Sequence, residues 1–138
     1  MIDKEIIKIA SNTENHGMLN NHTHSSKLKN AICGDEMKVY LIVKDNQIIN
    51  FKYECESCIY CQASVSLLSR NAKNKSIEKV KNFAKQAKNC FERNSESFDK
   101  EWKEFDKIMT KNNISRKECL LLPVNTALDA LNKKSLWN

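Results

Sequence analysis

Glycine and proline are scarce in this sequence of 138 residues, which contains two glycines and one proline. So few turn-forming residues argue against a turn-dense β-sandwich. No stretch approaches the roughly 20 apolar residues that a membrane-spanning helix requires. The first residues also lack the basic and apolar regions of a signal peptide. We therefore expect a cytoplasmic protein with no membrane partner.

The composition indicates one folded, helix-rich domain over residues 1–138. Hydrophobic residues make up 41% of the sequence and charged residues 29%, which argues against a disordered chain. The formal net charge is +6, from 23 basic and 17 acidic residues. Such a charge can attract nucleic acid. However, the basic residues do not cluster with aromatic residues, so we expect no nucleic-acid partner.

Two alternating segments predict a β-hairpin. Residues 37–43 and 48–55 alternate as strands do, and the polar residues 44–47 form the turn between them. The residues that we place on one buried face of the second strand are Ile49, Phe51, Tyr53 and Cys55. A third strand at about residues 27–32 would complete a sheet that helices can cover. The predicted fold class is α+β, a small three-stranded antiparallel sheet packed against four to six helices.

Apolar residues at helical spacing predict the helices. A short helix covers about residues 2–10, Ser76 caps the start of another, and a further helix begins after Asn94 and Ser95. Three predicted core stripes follow the hairpin: Cys61, Val65, Leu68 and Ala72; then Ile77, Val80, Ala84, Ala87 and Phe91; then Phe98, Trp102, Phe105 and Met109. The third stripe is typical of a packed helix rather than of a surface that stacks nucleic-acid bases.

A polar loop is predicted at about residues 11–26, and it contains all three histidines. His22 and His24 would share one face of an extended segment and could bind metal. No further well-spaced ligand lies nearby in the sequence. We therefore favour solvent-exposed histidines over a metal site in this loop.

Six cysteines in a chain without an export signal point to metal binding or catalysis rather than to disulfides. Cys55, Cys58 and Cys61 lie where the second strand meets a helix. A bacterial ferredoxin would need a fourth cysteine followed by proline, and a zinc ribbon would need a second close pair. Cys55 is predicted to be a core thiol, Cys61 a buried one and Cys90 a structural one. Cys58 therefore remains as the candidate ligand at the junction.

Cys58 and Cys119 are both predicted to lie at the start of a helix. Proline is tolerated in the first turn of a helix, so Pro123 predicts that the last helix begins at about residues 120–122. Unpaired backbone N–H groups and the positive end of the helix dipole favour a thiolate at such positions.

Cys33, Gly34 and Asp35 form a third candidate motif. The glycine allows the backbone to turn, so that the thiolate and the carboxylate can address one centre. Together with Cys58 and Cys119, the motif offers three thiolates and one oxygen ligand. This set suits either tetrahedral zinc or an iron–sulfur cluster.

These motifs resemble those of the U-type iron–sulfur cluster assembly scaffolds, the IscU, SufU and NifU N-terminal family. The resembling positions are Cys33-Gly34-Asp35, then Cys58 with Ala63-Ser64-x-Ser66, and then Cys119. The similarity spans about residues 12–131. Spacings of 25 residues from Cys33 to Cys58 and 61 residues from Cys58 to Cys119 are similar to the SufU branch, as is Arg116. The sequence departs from the family at Ser57, Cys61 and Glu118.

The resemblance implies a scaffold that accepts sulfur from a cysteine desulfurase, together with iron. It would assemble a transient [2Fe–2S] cluster on Cys33, Asp35, Cys58 and Cys119 and transfer the cluster to apo iron–sulfur proteins. Asp35 would be the labile ligand, with Cys61 and Arg116 as accessory residues.

Two alternatives to this scaffold stay open. In the first, Zn²⁺ binds the same four ligands and the protein is a zinc-dependent sulfurtransferase of the SufU type, with Cys33 or Cys119 as the persulfide acceptor. In the second, which we favour least, the chain is a structural zinc module that binds nucleic acid.

Overall fold

The computed structural model describes residues 3–91 and 97–136 of the chain. The strands are β1 (His24–Lys29), β2 (Glu36–Lys44), β3 (Gln47–Glu56) and β4 (Lys75–Ser76), antiparallel and in the order β1-β2-β3-β4. The α-helices are α1 (Lys4–Ala10), α2 (Ile59–Ala72), α3 (Ile77–Asn89) and α4 (Lys117–Leu131). Two 3-10 helices, Lys100–Lys107 and Lys111–Arg116, precede α4. The predicted α+β class is confirmed.

The sheet has four strands rather than three because β4 pairs with the first two residues of β3. Ile2 lies outside the described residues, and so do Asn94 and Ser95, after which a helix is predicted to begin. Within the described residues, no helix is both long enough and apolar enough to cross a membrane.

The turn between β2 and β3 is a two-residue loop. Asp45 and Asn46 both have left-handed backbone conformations, with φ of 52° and 62°. Two positive φ values in a two-residue hairpin define a type I′ turn, whose twist matches that of the flanking strands. Asparagine and aspartate tolerate this conformation better than other residues with a side chain.

We expect Asn46→Gly to stabilise the protein by about 0.5 kcal/mol, because glycine adopts a positive φ without steric cost. Asn46→Val should destabilise it by about 1–2 kcal/mol, since a β-branched side chain clashes there. Midpoints of urea unfolding would measure both changes. Equal midpoints for the two variants would show that the turn conformation does not limit stability.

The predicted buried face of β3 is wrong at Ile49, which is 45% exposed, whereas Ile48 is fully buried. The pairing with β2 is irregular here: Ile42 pairs with Asn50, but the next residue, Val43, pairs with Ile48, so that Ile49 has no partner in the β2–β3 register. Ile49 is therefore the extra residue of a β-bulge, and a bulge reverses the alternation of faces. Phe51 and Tyr53 are buried as predicted.

Strand β1 begins at His24 and ends at Lys29, three residues earlier at each end than predicted. Its buried side chains include His24 and Ser26, which a hydrophobic pattern does not identify. The Ser26 hydroxyl donates a hydrogen bond to Asp129 of α4. Polar residues can face the helix layer here because long-range hydrogen bonds satisfy them.

Helix α2 runs through the centre of the molecule. Its predicted stripe of Cys61, Val65, Leu68 and Ala72 is fully buried, but the helix is enclosed on more than one face. The Ser64 hydroxyl donates to the Leu120 carbonyl at 2.6 Å. Small hydroxyl residues of this kind let neighbouring elements approach closely while their polar atoms stay paired.

An aromatic cluster forms the second part of the core. Phe98, Trp102 and Phe105 are buried as predicted, although they lie on a 3-10 helix and the segment before it rather than on an α-helix. They pack around Phe83 of α3, whose ring is stacked on Trp102 with centroids 4.3 Å apart. These rings are inside the protein, where they cannot stack on nucleic-acid bases.

Helix α4 begins at Lys117, earlier than the predicted start at about residues 120–122. Pro123 therefore lies beyond the first turn, where its missing N–H leaves the Cys119 carbonyl without an α-helical donor. Tertiary packing outweighs this cost, because Leu120, Leu121 and Leu122 are all buried. Cys119 consequently lies within the first turn rather than just before it.

Candidate metal centre

The loop between β1 and β2 positions the first candidate ligands. Asn30 N–H donates to the Asp35 carbonyl at 2.8 Å, and Gly34 N–H donates to the Asn30 carbonyl at 2.8 Å. Gly34 has a φ of 77°, a conformation that favours glycine. A Cβ atom at Gly34 would meet nothing within 4 Å, so the glycine is needed for backbone conformation rather than for space.

The structure brings Cys33, Asp35 and Cys119 together. One ligand atom from each lies within 4.8 Å of the other two, and the two sulfurs are 3.8 Å apart. Cys33 is exposed, whereas Asp35 and Cys119 are buried. Residues separated by 86 positions in the sequence therefore meet at one small site, and Cys33 is the exposed member of the three.

Asp35 is the most informative of these residues because it is a carboxyl group that is only 7% exposed. Its Oδ1 accepts a hydrogen bond from the Cys58 N–H at 3.2 Å. Its Oδ2 is buried, and no hydrogen-bond partner for it exists among the described residues. An unsatisfied buried carboxylate oxygen is costly. A cation bound at this site would satisfy it.

Cys58 occupies the position just before the first turn of α2, and its backbone is extended there. The sequence predicts this place at the start of a helix. Its sulfur is not one of the three mutually close ligand atoms, but it lies near enough to Cys119 to raise the pKa of that thiol. The Cys119 sulfur at the start of α4 thus neighbours those of Cys58 at the start of α2 and Cys33 in the β1–β2 loop.

Burial raises the pKa of the Cys119 thiol, and the neighbouring Cys58 and Cys33 raise it further. Burial and the neighbouring thiols therefore oppose the thiolate that the helix start favours. Desolvation of a buried sulfur outweighs a helix dipole worth about 1 kcal/mol. A divalent cation reverses the balance, because ligation requires the thiolate and releases its proton.

Arg116 lies immediately before α4, and its guanidinium is 5.1 Å from the centre of the Tyr60 ring. Tyr60 belongs to the first turn of α2. This cation–π contact joins the starts of the two helices that carry Cys58 and Cys119. The family resemblance singles out Arg116, but the sequence gives no signal for Tyr60, since only the packing of α2 against α4 places the two together.

The other cysteines occupy different environments. Cys61 is fully buried and Cys55 is half-buried, and burial raises the pKa of both thiols. Cys90 ends α3 and donates a hydrogen bond to the Ala87 carbonyl at 3.1 Å. All six cysteines are thiols rather than disulfides.

The histidines do not form part of the candidate centre. His24 is buried in β1, contrary to its predicted loop position, and its Nδ1 lies 2.8 Å from the Thr23 hydroxyl. His22 packs against Tyr40. Within the described residues, the group of side chains that could hold a metal ion contains Cys33, Asp35 and Cys119 and neither histidine.

Comparisons with known proteins agree with this geometry. Residues 1–95 match the family described as the NifU-like N-terminal domain. The iron–sulfur cluster assembly scaffold protein IscU of Thermotoga maritima is 29% identical over 137 residues, which cover 98% of this chain and 95% of that protein. An uncharacterized protein of Borreliella burgdorferi is 29% identical over 130 residues, covering 94% and 82% of the two chains.

Two solved structures share the fold. A nitrogen-fixing NifU-like protein (N-terminal) from Brucella abortus superposes with a TM-score of 0.86 at 21% identity, covering 94% of this chain and 90% of that one. A putative iron–sulfur cluster assembly scaffold protein for the SUF system from Fervidobacterium islandicum AW-1 has a TM-score of 0.84 at 26% identity, covering 95% and 96%. The chain thus belongs to the NifU-like N-terminal domain family, which is the family of U-type iron–sulfur cluster assembly scaffolds.

Proposed function

We propose that this protein assembles a [2Fe–2S] cluster and transfers it to apo iron–sulfur proteins. Cys33, Asp35, Cys58 and Cys119 would hold the cluster, and a cysteine desulfurase would supply its sulfur. The observation that carries the proposal is the buried Asp35 carboxylate: its Oδ2 has no hydrogen-bond partner among the described residues, and one of its oxygens lies within 4.8 Å of the Cys33 and Cys119 sulfurs. Residues 1–138 would act as one domain, with the ligand motifs in about residues 12–131.

The mixed ligand set favours a cluster that is held temporarily. Thiolates are the usual ligands of iron–sulfur clusters, whereas an oxygen ligand binds iron less firmly than a fourth thiolate would. Cys33 is exposed, so the cluster would have one side open to a recipient protein. A weak ligand next to an open side suits transfer better than permanent storage.

The second candidate function is zinc-dependent sulfur transfer, as expected for the SufU branch. Zinc accepts three thiolates and one carboxylate in a tetrahedral site. The observation that favours this function is the exposure of Cys33. An accessible thiolate can leave the zinc and accept the outer sulfur of a persulfide on the desulfurase. Cys33 is therefore the first candidate for the acceptor and the buried Cys119 the second.

Anaerobic reconstitution separates the two functions. The purified protein would be incubated with ferrous iron and sulfide, analysed for metal and examined by absorption spectroscopy. A coloured, oxygen-sensitive product that activates an apo-ferredoxin supports the scaffold. A colourless zinc protein that stimulates desulfurase turnover and receives persulfide supports the transfer function instead.

Asp35→Ala is expected to slow cluster transfer to an apo-protein by about tenfold, because removal of the labile oxygen ligand lets a stronger donor take its place. Transfer would be followed by the visible absorption or circular dichroism of the recipient ferredoxin. Asp35→Asn serves as the matched control, since its amide oxygen still accepts the Cys58 N–H. Faster transfer from Asp35→Ala than from the unmodified protein would contradict the labile-ligand role.

A further inference from the structure

One edge of the sheet stays open near the end of β3. Strand β4 covers only the first two residues of β3. Further along, a short segment takes the place of a neighbouring strand: the Tyr53 N–H donates to the Asn15 carbonyl at 3.2 Å, and the Gly17 N–H donates to the Tyr53 carbonyl at 2.8 Å. Residues 18–21 then form no backbone hydrogen bond with β3. The strand therefore continues past Tyr53 without this cover.

The backbone of Cys55 faces the open edge. Successive residues of an antiparallel strand direct their N–H and C=O groups to opposite sides of the strand, so residues two apart share a side. Tyr53 directs both groups to Asn15 and Gly17, away from β2, and the β2–β3 register is regular from Tyr53 to Cys55. The N–H and C=O of Cys55 therefore point the same way. In the described part of the chain, no backbone group bonds to either of them from that side.

There is room beside Cys55 for another chain segment. A cavity of about 330 Å³ has Cys55 in its lining, and a second cavity of about 190 Å³ shares Cys55 and His16 with it. Backbone N–H and C=O groups require hydrogen-bond partners. An uncovered strand edge offers both kinds of group in the spacing of a sheet, which an extended backbone matches.

The charges around the larger cavity indicate which kind of segment fits. Glu54 and Glu56 lie on one face of β3, and both line this cavity. Lys38 lies opposite Glu54, but Glu56 lies opposite Glu36, and like charges that face each other across a sheet are destabilising. Lys27 pairs with Glu36 at 2.6 Å. No described side chain forms an ion pair with Glu56, so a basic side chain would be favoured there.

We propose that the edge at Cys55 binds an extended, basic segment of a protein partner as an added antiparallel strand. One residue of that segment exchanges two backbone hydrogen bonds with Cys55, as the residues of a hydrogen-bonded antiparallel pair do. The residues on either side of it lie opposite Glu54 and Glu56, where lysine or arginine is favoured. The inference does not depend on the proposed function, because the pairing uses the backbone of β3 and needs no metal.

A second copy of this protein is a poorer occupant of the edge. Two copies paired through Cys55 would bring Glu54 and Glu56 of one chain next to the same glutamates of the other, which would add to the repulsion. Natural strand edges often carry charges that prevent such pairing. The same glutamates attract a basic segment, so charge selects a different partner over a second copy.

The open edge lies close to the candidate metal centre along the chain. Cys55 precedes Cys58 by three residues, and the Cys58 N–H donates to the Asp35 carboxylate at 3.2 Å. Strand addition at Cys55 would therefore hold a partner beside the centre without using any of the candidate ligands.

The test is a titration of the isotope-labelled, full-length protein with the peptide acetyl-Thr-Lys-Val-Lys-Thr-amide, followed by nuclear magnetic resonance. We expect a Kd of about 1 mM, a downfield shift of the Cys55 amide proton and slower exchange of that proton with solvent. The same peptide with an N-methyl group on valine lacks the donor for the Cys55 carbonyl and should bind about tenfold more weakly. Glutamate in place of both lysines should also weaken binding about tenfold.

Glu56→Gln should weaken binding of the unmodified peptide about threefold. Glu104→Gln is the matched control, since Glu104 is an exposed glutamate on the first 3-10 helix, and it should change nothing. Equal binding of the N-methylated peptide, or an unchanged Cys55 amide signal, would indicate no strand addition and would overturn the inference. Protection of the Cys55 amide that rises with protein concentration, without peptide, would assign the edge to a second copy and overturn it as well.

Discussion

Cys119→Ser is expected to weaken metal binding by about 100-fold. Structural zinc sites with four ligands bind with roughly 12 kcal/mol, so one ligand contributes about 3 kcal/mol. Serine cannot replace the thiolate, because its hydroxyl stays protonated at neutral pH. Cys119 is also buried between Cys33 and Cys58, so no other side chain can easily take its place. Competition with a chromophoric zinc chelator would measure the affinity.

Cys90→Ser is the matched control for this experiment. A serine hydroxyl can keep the hydrogen bond to the Ala87 carbonyl, so this variant should bind zinc with unchanged affinity and stoichiometry. Cys58→Ser should behave like Cys119→Ser, because the Cys58 sulfur lies beside Cys119. Full metal content in both the Cys58 and the Cys119 variants would show that the ligands have been assigned incorrectly.

Phe83→Ala is expected to destabilise the protein by about 3–5 kcal/mol, the usual cost of removing a buried phenylalanine ring. Phe83 is 1% exposed and its ring contacts those of Trp102, Phe98 and Phe105 at centroid distances of 4.3, 5.3 and 4.6 Å. Its loss would separate α3 from the first 3-10 helix. Thermal unfolding should show a melting temperature lower by about 10–20 °C.

Phe83→Leu provides the control, because leucine fills most of the same volume and should cost about 1–2 kcal/mol. Phe83 is not among the candidate ligands. Zinc affinity measured well below the melting temperature should therefore be unchanged in both variants. A melting temperature that stays within a few degrees in Phe83→Ala would show that the aromatic cluster does not stabilise the fold.

The sequence determined the elements whose signals are local. Alternation predicted the β2–β3 hairpin, helical spacing predicted the buried stripe of α2, and intervals of three and four predicted the buried aromatic residues. These predictions succeeded because burial on one face leaves a periodic trace in the sequence. The cysteine motifs, rather than periodicity, made Cys33, Asp35, Cys58 and Cys119 the candidate ligands, and that assignment stays a prediction.

Tertiary structure decided the features that depend on distant partners. The bulge at Ile49 follows from pairing with β2, the early start of α4 follows from the burial of its leucines, and the burial of Ser26 depends on Asp129 of another element. Periodicity carries no information about such partners.

The same division holds at the candidate metal centre. The sequence specified which ligand types are present, but only the packing of α2, α4 and the β1–β2 loop brought two sulfurs 86 residues apart to within 3.8 Å. Packing also left one oxygen of Asp35 buried without a hydrogen bond to any described residue. The distances between these side chains and their burial are properties of the folded structure. Together they allow the side chains to hold one metal ion.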